Sequence, residues 1–271
     1  PETHISDIRI ETELDNHYQN ALLNIRTTLT NSTNRKQTNL LLRFSIDGLP
    51  TMVEQRIPQL AAGASWTGIL SDSVIAPLLW SNERPQLYTL KMELSKEDRI
   101  VEIVEKRFGF REIEVCENEL LVNGRPVKLR GICHHEMHPL MGRVMTDELQ
   151  RRDVELYRSA NCNFIRTSHY PPCEELLDVC DELGMFVEVE APVCWVGHHA
   201  NETWKKHNYQ DNKYYPYILQ ANMETIHFYR NHPSVLFWSM ANESYWNKEF
   251  AQIQEYVAKA DPTRPHTFHD Q

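Results

Sequence analysis

Four apolar runs in the second half of the chain each end in ionisable or amide side chains. Ile132-Cys133 leads to His134-His135-Glu136, and Asn163–Ile165 to Arg166-Thr167-Ser168-His169-Tyr170. Met185–Val189 ends at Glu190, and Val235–Met240 runs through Ala241 to Asn242 and Glu243. Such groups hold protons, pair with hydroxyls or ligate metals. One polar strand end is unremarkable, because loops are polar; four in series point to a shared site when the strands are parallel.

Metal ligation is the weaker chemistry. A zinc-type His-Glu-x-x-His motif needs two histidines four apart on a helix. His135 to His138 is one residue short, and His134 to His138 lies in a strand-exit loop with Pro139. A structural role for these histidines ranks between metal and ligand contact. For Arg166, structural support ranks at least level with ligand contact, and Glu190 reads as its buried partner. Glu243 is hardest to explain away, since a carboxylate straight after an apolar strand is costly to bury without purpose.

The elements that must position these residues alternate in type. Asn123-Gly124 signals a hairpin turn between strands Glu119–Val122 and Val127–Gly131. Thr146 caps a helix with Asp147 and Glu148 in its first turn. A strand follows at Asn163–Thr167. The next helix has Cys173, Leu176, Leu177 and Cys180 on one face and stops at Gly184. Met185–Glu190 is a strand, and Leu219, Met223 and Ile226 mark a third helix closing near Pro233. Val235–Met240 is a strand apolar on both faces. Phe250, Ile253, Val257 and Ala260 stripe a fourth helix ended by Asp261-Pro262, and His266–His269 starts a fifth strand. This rhythm implies a parallel sheet. A closed eight-stranded barrel takes about 250 residues, whereas 113–271 supply 159. The expectation is a partial (β/α)8 barrel over 111–271.

Residues 1–110 carry short alternating runs instead. Ala21–Thr27, Leu40–Ile46, Thr51–Arg56, Leu87–Leu94 and Ile100–Phe108 read as strands, with Asp47-Gly48 as a turn. They suit an immunoglobulin-like β-sandwich in architecture, without the Cys…Trp…Cys signature.

Composition narrows the function classes. With 38 acidic against 28 basic residues, the net charge is -10 and no basic run interrupts it, which disfavours nucleic acid and anionic membranes. No stretch approaches 18 apolar residues, and no signal-peptide pattern is present. The start at Pro1 without Met suggests a processed or truncated product, leaving the compartment open between cytoplasm, periplasm and secretion. All six cysteines follow residue 115, none as Cys-x-x-Cys, so free thiols are expected.

Several blocks together resemble glycoside hydrolase family 2. Asn123-Gly124-Arg125-Pro126-Val127-Lys128-Leu129-Arg130-Gly131 resembles the entry to that family's barrel, followed by His135-Glu136-Met137-His138-Pro139 and Arg166-Thr167-Ser168-His169-Tyr170-Pro171. Asn231-His232-Pro233-Ser234-Val235 leads into Trp238-Ser239-Met240-Ala241-Asn242-Glu243-Ser244, which resembles the acid/base signature. Leu79-Trp80-Ser81 and Pro85-Gln86-Leu87-Tyr88 are similar to the end of the family's sandwich domain.

The resemblance implies a retaining β-glycosidase, β-galactosidase-like first, with β-glucuronidase or β-mannosidase specificity as alternatives. In that chemistry one carboxyl protonates the leaving oxygen and later activates water, while a second attacks the anomeric carbon. Glu243 matches the acid/base. Asn242 matches the residue that bonds the sugar 2-hydroxyl, His135 and His169 match substrate-facing histidines, and Arg166 matches an arginine orienting the nucleophile. The nucleophile belongs to a later strand and is expected beyond Gln271, leaving the chain inactive or nearly so by itself. Trp195, Trp204 and Trp246 are candidates to stack on sugar rings, with surface or core packing the default for Trp204.

Two departures bear on specificity. Many β-galactosidases continue Glu-Ala-Asn-Ile-Glu-Thr-His; here the run is Glu190-Ala191-Pro192-Val193-Cys194-Trp195-Val196. Cys194 and Val196 replace a Glu and a His that help hold magnesium, so no magnesium and no other cofactor is expected there. The usual Asn-Arg before His-Glu is Cys133-His134. The rival class is a non-catalytic carbohydrate-binding or scaffold protein, which has no need of a proton donor. Open half-barrel edges also suggest self-association.

Overall fold

The structure, a computed structural model, describes residues 1–196 and 212–270. Trp204 and the segment around it lie outside the described residues. The chain divides into two compact units, one of residues 1–80 and 86–112, the other of residues 81–85 and 113–271.

The first unit contains β1 (Thr3–Leu14), β2 (Ala21–Asn31), β3 (Gln37–Ile46), β4 (Met52–Leu60), β5 (Ser65–Val74), β6 (Tyr88–Lys96) and β7 (Arg99–Phe108). They pair antiparallel in two sheets, ordered β1-β2-β5 and β4-β3-β6-β7. The period of two is clean where both sides of a strand are paired. Along β2, Leu23, Ile25, Thr27 and Leu29 point inward, fully buried. From β3 and β6, Leu42, Phe44, Leu90, Met92 and Leu94 join them in one core. Each such aliphatic or aromatic side chain contributes about 1.5–3 kcal/mol, so Leu42→Ala costs roughly 2–5 kcal/mol. Strand β5 is absent from the sequence expectation, because Ser65, Thr67, Gly68, Ser71, Asp72 and Ser73 dilute its pattern.

The second unit opens with β8 (Ile113–Cys116), β9 (Glu119–Val122) and β10 (Arg125–Pro126) in a small antiparallel sheet. Asn123 and Gly124 both have positive φ, 52° and 69°, as a two-residue hairpin turn requires. That turn brings Arg125 opposite Val122, so the returning strand is Arg125–Pro126 and not Val127–Gly131. A two-residue loop starts pairing at once, and Gly131 instead opens the next strand.

Five parallel strands follow: β11 (Gly131–His134), β12 (Phe164–Thr167), β13 (Phe186–Glu190), β14 (Val235–Ser239) and β15 (His266–Thr267), adjacent in sequence order. Among the described residues, four helices connect them: α1 (Asp147–Ser159), α2 (Glu174–Leu183), α3 (Tyr215–Tyr229) and α4 (Lys248–Ala260). This is part of a (β/α)8 barrel. Thr146 caps α1 by accepting from the Leu149 N–H, and Asn247 caps α4 by accepting from the Phe250 N–H at 3.0 Å. Helix α2 begins at Glu174, one residue after the expected Cys173, whose extended backbone makes it the N-cap. Gly184 ends α2 with φ 74°; a Cβ there would meet the Asn82 carbonyl oxygen at 2.4 Å, so both conformation and space demand glycine. The core between sheet and helices is Val154, Ile165, Leu176, Leu177, Val187, Val189, Trp238, Phe250 and Ile253.

The entry to β14 is fixed by a buried pair. Asp181 on α2 accepts from His232 Nδ1 at 2.7 Å and from the Ser234 N–H at 2.9 Å. Burial works against a charged His232, but Asp181 outweighs it and raises the imidazole above its ordinary value. Asp178 completes a set of three possible ligand groups within 4.8 Å. This set sits before β14 begins, opposite the strand ends described next.

Candidate active site

Parallel register brings the expected residues to one end of the sheet. Cys133, Arg166 and Glu188 lie side by side across β11, β12 and β13, and Glu190 pairs with Ser239 of β14. Arg166 projects to Glu190, donating from Nε at 3.0 Å and from Nη2 at 2.6 Å to Oε2. Glu190 is fully buried, so these are charge-assisted bonds in a place where either ion alone is costly. Ser239 Oγ adds a third donor to Oε2 at 2.7 Å. Burial weakens the charge on Arg166, yet the bond and charge of Glu190 outweigh it and hold the guanidinium above its ordinary value.

Asn242 and His169 close around this pair. Arg166 Nη2 donates to Asn242 Oδ1 at 2.7 Å; an arginine has no acceptor, so the amide oxygen must face it. Asn242 Nδ2 then points at Cys194 Sγ, 3.3 Å away. His169 Nδ1 lies 2.8 Å from Glu190 Oε1. An ionised carboxylate only accepts, which puts the proton on Nδ1 and leaves Nε2 to other partners. The Ser168–His169 peptide is cis. His135 stands beside this group, its ring centre 5.3 Å from that of His169 and nearly perpendicular to it. Desolvation first, then His169 and Arg143, pull His135 below its ordinary value and favour the neutral ring. Arg166, His169, Asn242 and His135 are thus brought together, and Glu190 is the buried partner of Arg166.

The rest of the β11 strand end diverges. His134 is buried and turns to Tyr157 of α1, its Nδ1 3.0 Å from the hydroxyl. Glu136 Oε1 accepts from Gln150 Nε2 at 2.8 Å and from the Cys173 N–H at 2.9 Å, so it fastens α1 to the start of α2. The expectation that His134, His135 and Glu136 share one face is therefore corrected. Successive residues leave a strand on opposite sides.

Glu243 follows Asn242 but is exposed, so the expectation of a buried carboxylate fails. Its backbone is left-handed, with φ 41°. Its Oε2 accepts from Trp195 Nε1 at 2.6 Å. Trp195 is half-exposed, with φ 63°. The loops carrying them continue the parallel ladder: Asn242 N–H donates to Val193 O at 2.9 Å, Trp195 N–H to Asn242 O at 3.1 Å, and Tyr245 N–H to Val196 O at 2.8 Å. Burial pushes the Cys194 thiol up, making it a neutral neighbour of Glu243.

A second carboxylate was missed. Glu188 is buried and accepts from His269 Nε2 at 2.8 Å and from Thr267 Oγ1. Burial alone would raise its carboxyl, but those donors hold it below the ordinary range. Two glutamates two apart in an apolar strand share one face, which was the available signal.

Residues 3–111 match the family model "Glycosyl hydrolases family 2", and residues 113–271 match "Glycosyl hydrolases family 2, TIM barrel domain". The chain belongs to glycosyl hydrolase family 2. Within that family it is similar to a β-galactosidase of Vibrio cholerae, 32% identical over 268 residues that cover 96% of this chain and 26% of that protein. A putative β-glucuronidase of Formosa agariphila is 33% identical over 255 residues, covering 92% of this chain and 28% of the relative. Among solved structures, a Bacteroides uniformis β-glucuronidase matches with TM-score 0.84 and 27% identity, covering 99% of this chain and 34% of that one. The family 2 chain described here thus spans about a quarter of the length of these curated relatives.

Proposed function

We propose that this chain carries the acid/base side of a retaining β-glycosidase site acting on terminal β-linked sugars. The observation that carries the reading is Glu243, set out from the end of β14 and held by Trp195 beside the Arg166–Glu190–Asn242 cluster. Glu243 protonates the leaving oxygen and then takes a proton from water. The Asn242 amide keeps one N–H beyond its contact with Cys194, and that N–H serves the sugar 2-hydroxyl. His169 Nε2 and His135 bind further hydroxyls, and Arg166 orients the nucleophile.

Glu188 and Glu190 are committed to Thr267 and His269, and to Arg166, His169 and Ser239. Neither is the nucleophile in this proposal; a barrel strand after β15 supplies it. Magnesium does not fit the 194–196 position. Cys194 meets Asn242 through its thiol and Val196 has no donor, whereas Mg²⁺ requires hard oxygens.

β-Galactosides are the substrates proposed first, supported by the similarity to β-galactosidases such as that of Vibrio cholerae. β-Glucuronides are the second reading, favoured by the relative from Formosa agariphila and the Bacteroides uniformis structure. Hydrolysis of a panel of nitrophenyl β-glycosides by the full-length protein tests both. Cleavage of the galactoside supports the first, cleavage of the glucuronide the second, and inertness on every sugar favours a binding protein.

A further inference from the structure

Trp195 and Glu243 both occupy left-handed backbone, at φ 63° and 41°, a region that non-glycine residues enter only at a cost. Such strain persists only where the surroundings over-determine it. Here the surroundings are the ladder between residues 193–196 and 242–245, closed by the Val196 N–H to Ser244 Oγ bond at 3.0 Å. Between these two residues the indole N–H meets the carboxylate at 2.6 Å. An indole nitrogen only donates, and it neither titrates nor accepts the catalytic proton.

We infer that Trp195 is a positioning residue for Glu243: its indole N–H occupies Oε2 and makes Oε1 the oxygen that carries and returns the catalytic proton. This rests on the acid/base role proposed above. In the first step the Oε1 proton passes to the glycosidic oxygen. The C–O bond breaks with its electron pair on that oxygen, and the nucleophile carboxylate bonds to the anomeric carbon. In the second step water gives its proton to Oε1, its oxygen bonds to the anomeric carbon, and the nucleophile is released. Oε2 keeps its donor throughout, so the carboxyl does not turn between steps.

Among the described residues, the titratable neighbour on the β13 side is the neutral Cys194 thiol. Arg166 and Glu190 stand behind Asn242 as a closed pair.

The test is Trp195→Phe in the full-length protein, since phenylalanine keeps an aromatic ring and removes the N–H. On a glycoside with a poor leaving group, kcat/KM is expected to fall about tenfold, a fraction of the full 10²–10⁴ effect of a general acid. On a dinitrophenyl glycoside, which needs no acid, it stays within about twofold. Trp195→His, which retains an N–H, restores part of the loss. Equal losses on both substrates without rescue by Trp195→His, while Glu243→Gln still discriminates between leaving groups, overturn the inference and leave the acid/base reading intact. A Glu243→Gln enzyme that does not discriminate removes both. If the Phe variant does not fold, the indole ¹⁵N–H resonance of Trp195 decides. It must shift when Glu243 is replaced by Gln; a resonance that does not move in Glu243→Gln overturns the inference.

Discussion

Arg166 and Glu190 lie at the ends of neighbouring parallel strands, with two guanidinium nitrogens converging on one carboxylate oxygen at 3.0 and 2.6 Å. Removing one member takes the oppositely charged partner from the other in a largely buried place. Arg166→Ala is expected to destabilise the fold by about 3–5 kcal/mol, read from urea unfolding. Arg166→Lys keeps the charge but loses the two-point geometry, and should recover only part of the loss. A full recovery by lysine would show that charge alone matters here.

Arg264 and Asp261 form a comparable pair behind the sheet. Arg264 Nη1 donates to Asp261 at 2.6 Å, and the guanidinium also reaches the carbonyls of Val235, Arg230 and His232. Burial opposes the Asp261 charge, but Arg264, Thr263 and Trp238 outweigh it and hold the carboxyl well below the ordinary range. A depressed folded value contributes stability that is fully present above the unfolded value of about 3.9 and is lost as pH falls. Asp261→Asn should therefore cost about 3 kcal/mol near neutrality, with a gap to the unmutated protein that narrows below about pH 4. A gap independent of pH would contradict this origin.

Chelation separates the proposed site from a magnesium-assisted one. With a thiol at 194 and an isopropyl group at 196, EDTA should leave kcat/KM within about twofold, because neither side chain offers Mg²⁺ a hard oxygen. Activity lost on chelation and restored by Mg²⁺ would require ligands from elsewhere.

Much of the fold was legible because its signals are local. Thr146, Gly184 and Asn123-Gly124 each mark a boundary through their own backbone preferences, and the structure uses each in that way. Strand β5 was not, because its burial depends on pairing with β2, far away in sequence. Within the site, Arg166, His169 and Asn242 were readable as polar strand ends. The Trp195–Glu243 contact was not: neither residue type favours left-handed backbone, and the two meet only once their loops are in register. Glu188 was hidden by its neighbour Glu190, although both share one strand face.

The central claim is that Glu243 is the acid/base. The most direct measurement is kcat/KM of the full-length protein and its Glu243→Gln variant on two glycosides of the same sugar, one with a poor and one with a dinitrophenyl leaving group. A loss of about 10²–10⁴-fold on the poor leaving group, and a far smaller one on the dinitrophenyl glycoside, is the predicted result. Equal rates for variant and parent on both substrates would contradict it.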